Sequence, residues 1–159
     1  MKPRVYVETS VISYLSARPN RDLTVASKQQ SSLELWNSRD RYDLLISDLV
    51  LSESAAGDVQ AASARRAWLD GLIVLPLDDE AQRIADALVA MQAFPEKAYA
   101  DALHIGIAAS NQIEVIASWN FRHIASVWAR SRIEAALNQL GYSHCHIATP
   151  DELIEGELQ

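Results

Sequence analysis

The sequence predicts an α/β fold, a central, mostly parallel sheet of about five strands with helices on both faces. Two observations carry that expectation. Short apolar runs alternate with longer stretches of helical spacing along the whole chain, the pattern of strand–helix–strand units whose helices must cover the sheet. No internal repeat, low-complexity tract or Gly/Pro/Ser linker divides the chain, so residues 1–159 are expected to form a single domain, and a hydrophobic content of 49% gives material for one core.

The strands are expected at residues 4–7, 43–47, 72–75, 114–118 and 144–148. Between the third and fourth, Ala81, Ile84, Ala85, Leu88 and Met91 recur at i, i+3, i+4, i+7 spacing, which turns one apolar stripe toward a sheet. Ile133, Leu137 and Leu140 do the same before the fifth, with Gly141 where a left-handed C-terminal cap belongs. Thr149-Pro150-Asp151-Glu152 reads as a capping box with proline at the first helical position, so a short helix is expected to close the chain. Which strand pairs with which is not contained in this pattern.

The net charge is −7, and only Lys2, Lys28 and Lys97 are lysines, so arginine supplies nearly all the positive charge. That balance excludes a generic basic nucleic-acid binder, which neutralises phosphate with a Lys/Arg surface. A bound metal ion would supply local positive charge instead. One cysteine, Cys145, rules out an intramolecular disulfide and suits a reducing cytoplasm. No run approaches the roughly 18 consecutive apolar residues of a membrane span, and Val5-Tyr6-Val7 is too short for the core of a secretory signal.

In open parallel sheets, sites form beyond the carboxyl ends of the strands. Glu8 follows the first strand, with Thr9 and Ser10 opening the next helix as N-cap candidates. Glu53 interrupts a half-apolar helix after the second strand. Asp101 stands near the start of a helix, Ala100-Asp101-Ala102-Leu103-His104-Ile105-Gly106-Ile107, that is apolar nearly all round and so expected to be buried, with His104 as a hydrogen-bonded core histidine. The fourth strand ends in Ser118-Trp119-Asn120-Phe121-Arg122-His123. Gathered together, Glu8, Glu53, Asp101 and Asn120 would make an oxygen-rich pocket suited to Mg²⁺ or Mn²⁺. Crowded carboxylates repel unless a cation or a proton neutralises them, which is the physical reason to read a metal site. Ser10, Ser118, Arg122 and His123 are its supporting candidates, through water, carboxylate orientation, phosphate contact and proton transfer.

Plainer readings stand beside each. Asp101 is placed to stabilise a helix dipole, Glu53 to be a solvated helix face, Glu8 to cap a helix, and Asn120 to end a strand in a turn. Asp58 after Gly57 reads as a helix terminator. Ser118 could be an ordinary strand-end serine, and Arg122 and His123 exposed turn residues. His144 and His146 would share one face of the last strand, without the further pair a zinc site needs. The tryptophans Trp36, Trp68, Trp119 and Trp128 are scattered as core or interface material, not a base-stacking platform.

The stretches Val5-Tyr6-Val7-Glu8-Thr9-Ser10-Val11, Glu53 followed by Ala56-Gly57-Asp58, Asp101-Ala102-Leu103-His104-Ile105 and Ser118-Trp119-Asn120-Phe121-Arg122-His123-Ile124 together resemble the PIN domain family, in particular its VapC-like toxins, over nearly the whole chain. The resemblance implies a five-stranded parallel sheet, metal-dependent hydrolysis of RNA, a homodimer and a small antitoxin partner. Two positions depart from the family pattern. Glu8 stands where aspartate is usual and reaches one methylene further. Asn120 stands where aspartate is frequent and removes one negative charge. These departures motivate a second expectation, a module that keeps the fold and binds antitoxin or RNA without cutting. Other sheet enzymes are excluded: a receiver domain needs a lysine after its last strand, nucleotide folds need a Gly-rich turn, and a hydrolase needs a nucleophile elbow.

Overall fold

The structure, a computed structural model, describes residues 1–156. Its elements run β1 (Arg4–Val7), α1 (Thr9–Ser16), α2 (Leu23–Asn37), β2 (Asp43–Ser47), α3 (Asp48–Ser54), α4 (Val59–Leu69), β3 (Ile73–Leu75), α5 (Asp79–Ala90), α6 (Tyr99–Ser110), β4 (Val115–Ala117), α7 (Val127–Gln139), β5 (His146–Ala148) and α8 (Pro150–Glu155). A 3-10 turn at Glu96–Ala98 leads into α6, and a π-helical turn at Phe121–Ala125 separates β4 from α7. The five strands form one all-parallel sheet in the order β3-β2-β1-β4-β5. The helices flank it in two packed groups: α1 to α4 with α8, and α5 to α7.

Position in the sheet explains the strand sequences. Val5, Tyr6 and Val7 of the central strand are all 0% exposed, since β1 has neighbours on both edges and helices over both faces. On the edge strand β3, Ile73 is 64% exposed. The register aligns Tyr6 with Leu45 of β2 and Ile116 of β4. The chain builds outward from β1 through β2 to β3, then returns to add β4 and β5 on the other side. That reversal opens a crevice at the carboxyl ends of β1 and β4, where open parallel sheets place their ligands.

The expected stripe on α5 is buried at Ala81, Ile84, Ala85 and Leu88, Gly141 has a φ of +91°, and Thr149 with Glu152 forms the capping box. Glu8, not Thr9 or Ser10, caps α1: its longer side chain folds back to accept from Ser10 N at 2.7 Å. Two local expectations need correction. Asp58 starts a helix instead of ending one, accepting from Ala61 N at 3.0 Å. The last strand begins at His146, so His144 lies outside it, packed edge-on to Tyr142. Trp128 is 74% exposed, whereas Trp119 is buried with its indole N–H donated to Ser32 Oγ at 2.8 Å.

Cys145 is buried, which pushes its thiol up to about 12 and keeps it an inert packing group. Among the described residues no helix is long and apolar enough to cross a membrane.

Candidate functional site

Glu8 leaves β1 directly into the crevice and is only 4% exposed. A buried carboxylate needs donors, and three are present: Ser10 N at 2.7 Å, Ser10 Oγ at 2.8 Å and Ser118 Oγ at 2.6 Å. The two serines pass the network onward. Ser10 Oγ accepts from Trp119 N at 2.8 Å, and Ser118 Oγ accepts from Asn120 N at 3.0 Å. Glu8 therefore ties the start of α1 to the end of β4. Ser118 does orient an acid, beyond its role as a strand-end serine.

Glu53 reaches the same region from α3. Its Oε1 receives Thr9 Oγ1 at 2.7 Å and His104 Nε2 at 2.5 Å. Burial alone would push this carboxyl up, but the hydrogen bonds it accepts from His104 and the Thr9 hydroxyl favour the carboxylate, and the group lies below its ordinary value. Asp101 sits in the first turn of α6, one turn before His104, and its Oδ2 meets His123 Nδ1 at 2.9 Å. His123 is held on the π-helical turn, which Asn120 caps by accepting from His123 N at 3.1 Å. Each of the two part-exposed acids is thus paired with a histidine. Arg122, next to His123 in the chain, is exposed.

The structure brings Glu8, Ser10 and Ser118 into direct contact, links Glu53 to α1 through Thr9, and joins Asp101 to the Asn120 turn through His123. Two partners escaped the sequence reading. Tyr6 and Ser47 lie behind His104, with Tyr6 OH 2.6 Å from His104 Nδ1 and 2.7 Å from Ser47 Oγ. The available signal was a tyrosine in an otherwise aliphatic central strand, because a buried phenol requires a polar partner.

Hard cations are held through oxygen, commonly by one or two carboxylates with water in the remaining positions. Glu53 and Asp101 fit that mode. Their side chains are 33% and 22% exposed, and Glu53 Oε2 and Asp101 Oδ1 take part in no hydrogen bond among the described residues. Glu8 has both oxygens engaged, and Asn120 has its amide oxygen engaged. Among the described residues no three His, Cys, Asp or Glu side chains converge as a ready metal cage. The donors present could serve a hydrated ion held by one or two carboxylates.

The same fold recurs in solved structures. Mycobacterium tuberculosis VapC20, a sarcin-ricin loop cleaving toxin, superimposes with a TM-score of 0.58 at 17% identity, covering 75% of this chain and 92% of that one. VapBC2 from Rickettsia felis, bound to a DNA fragment from its promoter, gives a TM-score of 0.56 at 13% identity, covering 92% and 98%. At such identities the likeness is one of fold. No curated protein matches the chain by sequence. The PIN domain family pattern matches residues 5–127. With that match spanning β1 to the start of α7, and a five-stranded parallel sheet carrying acids at its switch point, the chain belongs to the PIN domain family.

Proposed function

We propose that this protein is an endoribonuclease of the toxin–antitoxin type that depends on Mg²⁺ or Mn²⁺. The observation that carries the reading is the pair of part-exposed acids, Glu53 and Asp101, each steadied by a histidine and each with one oxygen outside any hydrogen bond among the described residues. These two would hold the cation, which when bound supplies Lewis acidity toward the scissile phosphate and a water of lowered pKa.

The chain's own groups do the rest. His104 and Thr9 keep the Glu53 carboxylate ionised and fixed, and His123 orients Asp101. Glu8 adds negative charge from behind, its position set by Ser10 and Ser118, and Asn120 sets the turn that presents His123. Arg122 and Lys28 provide cations for RNA phosphates. Lys28 stands beside the exposed ring of Phe121, 5.0 Å from its centroid, and also faces Tyr14 and Trp119. The exposed acids also suit an antitoxin that inserts an Arg or Lys among them. We place the protein in the cytoplasm and expect a homodimer.

A second reading is favoured by a specific observation. Glu8 and Asn120 spend their oxygens on the protein itself, as a binding module that has given up cleavage would allow. One assay separates the two. Incubated with single-stranded RNA and Mn²⁺, the protein is expected to cut, to stop in excess chelator and to resume when Mn²⁺ is restored. Cleavage that persists in chelator refutes the metal mechanism, and RNA binding without cleavage at any Mn²⁺ concentration establishes the module.

A further inference from the structure

Behind Glu53 runs a line of buried polar groups that no packing need explains. Ser47 and His104 are 0% and 1% exposed, and Tyr6 is 0% exposed. Aliphatic residues would fill the same space without desolvating a hydroxyl, a phenol and an imidazole.

The direction of each hydrogen bond follows by elimination. Ser47 Oγ accepts from Val50 N at 3.2 Å, and its other partner is Tyr6 OH. If Tyr6 donated to Ser47, the buried Ser47 proton would have no acceptor, at the expense of an unmade hydrogen bond. Ser47 therefore donates to Tyr6. The phenol proton then goes to His104 Nδ1 at 2.6 Å. With Nδ1 accepting, the imidazole N–H is on Nε2, aimed at Glu53 Oε1 at 2.5 Å.

We propose that Ser47, Tyr6 and His104 form a one-way hydrogen-bond relay that fixes the Nε2–H tautomer of His104 and thereby positions Glu53, with Oε1 occupied and Oε2 available to a ligand. His104 and Tyr6 are positioning residues: neither reaches the reacting atoms. The tautomer stands on the geometry alone, whereas the consequence for catalysis rests on the ribonuclease reading above. Partners of this kind behind a ligating group typically change metal affinity or activity by about 10–100-fold when removed.

The test uses the full chain labelled with ¹⁵N-histidine. Long-range ¹H–¹⁵N spectra of the wild type are expected to show His104 with Nε2 protonated and Nδ1 bare. The Tyr6→Phe variant is expected to lose that fixed pattern. It should bind Mn²⁺ about 10-fold more weakly, with kcat for RNA cleavage reduced and KM little changed. Because Tyr6 is central to the sheet, a second pair guards against misfolding. His104→Gln places an amide N–H near Nε2 and should retain most of the Mn²⁺ affinity, whereas His104→Leu should lose it about 10-fold. An Nδ1–H tautomer in the wild type overturns the relay, as does wild-type Mn²⁺ affinity in both His104→Leu and Tyr6→Phe. If the protein neither binds Mn²⁺ nor cuts RNA, the functional reading fails, and the wild-type tautomer still decides the relay.

Discussion

Replacing Asp101 by asparagine is expected to reduce Mn²⁺-dependent RNA cleavage by at least about 100-fold, since a metal's stabilisation of charge in the transition state amounts to several kcal/mol. The variant keeps the shape of the side chain and removes the negative charge. Asp101 is part-exposed and its one side-chain partner is His123, at 2.9 Å. Asparagine keeps an oxygen that can accept the same hydrogen bond, whose net contribution is about 1 kcal/mol, so the thermal midpoint should move by only a few degrees. Activity and stability therefore separate at this position. A parallel measurement of RNA cleavage and melting checks it. An active Asp101→Asn protein would remove Asp101 from the chemistry, and a collapsed one would make it a structural residue.

The second large effect concerns the scaffold that carries Asp101 and His104. Gly106 of α6 faces the first turn of α5 so closely that an added Cβ would lie 2.3 Å from Ala81 O and 3.1 Å from Ala81 C. The obstacle is backbone, and it is pinned: Asp78 caps that turn by accepting from Ala81 N at 2.9 Å. A glycine-to-alanine change in an ordinary helix gains about 1 kcal/mol. Here overpacking, which costs about 1–3 kcal/mol and falls at the upper end against immovable backbone, outweighs that gain. Gly106→Ala should lose about 2 kcal/mol in urea unfolding, or roughly 4–8 °C in Tm. Stabilisation by the substitution would show that the helices are not held this close.

The particular residues explain what the sequence disclosed and what it withheld. β1 was legible because Val5-Tyr6-Val7 is an unbroken apolar run, the mark of a strand covered on both faces. Glu53 and Asp101 stood out because carboxylates in apolar helices demand a reason. Strand order was hidden, since the pairing of Val5 with Val115 joins residues that no local pattern connects. The cap of α1 was open between Glu8 and the hydroxyls of Thr9 and Ser10, and it falls to Glu8, which has the reach to fold back and capture Ser10 while Ser118 anchors its other oxygen. The His104–Glu53 contact spans 51 positions and the Tyr6–His104 contact 98, so only folding reveals that a core histidine also holds an acid. The π-helical turn that brings His123 to Asp101 likewise has no signature in residue spacing.

The proposed chemistry requires Glu53 and Asp101 to share a cation. Crystals of the full chain soaked in Mn²⁺ and measured for anomalous scattering test that most directly. A peak at roughly 2 Å from carboxylate oxygens of both Glu53 and Asp101, with water completing the shell, is the predicted result. Absence of any peak at the carboxyl ends of β1 and β4, or a peak held by other side chains while Glu53 and Asp101 remain engaged by their histidines alone, would contradict it.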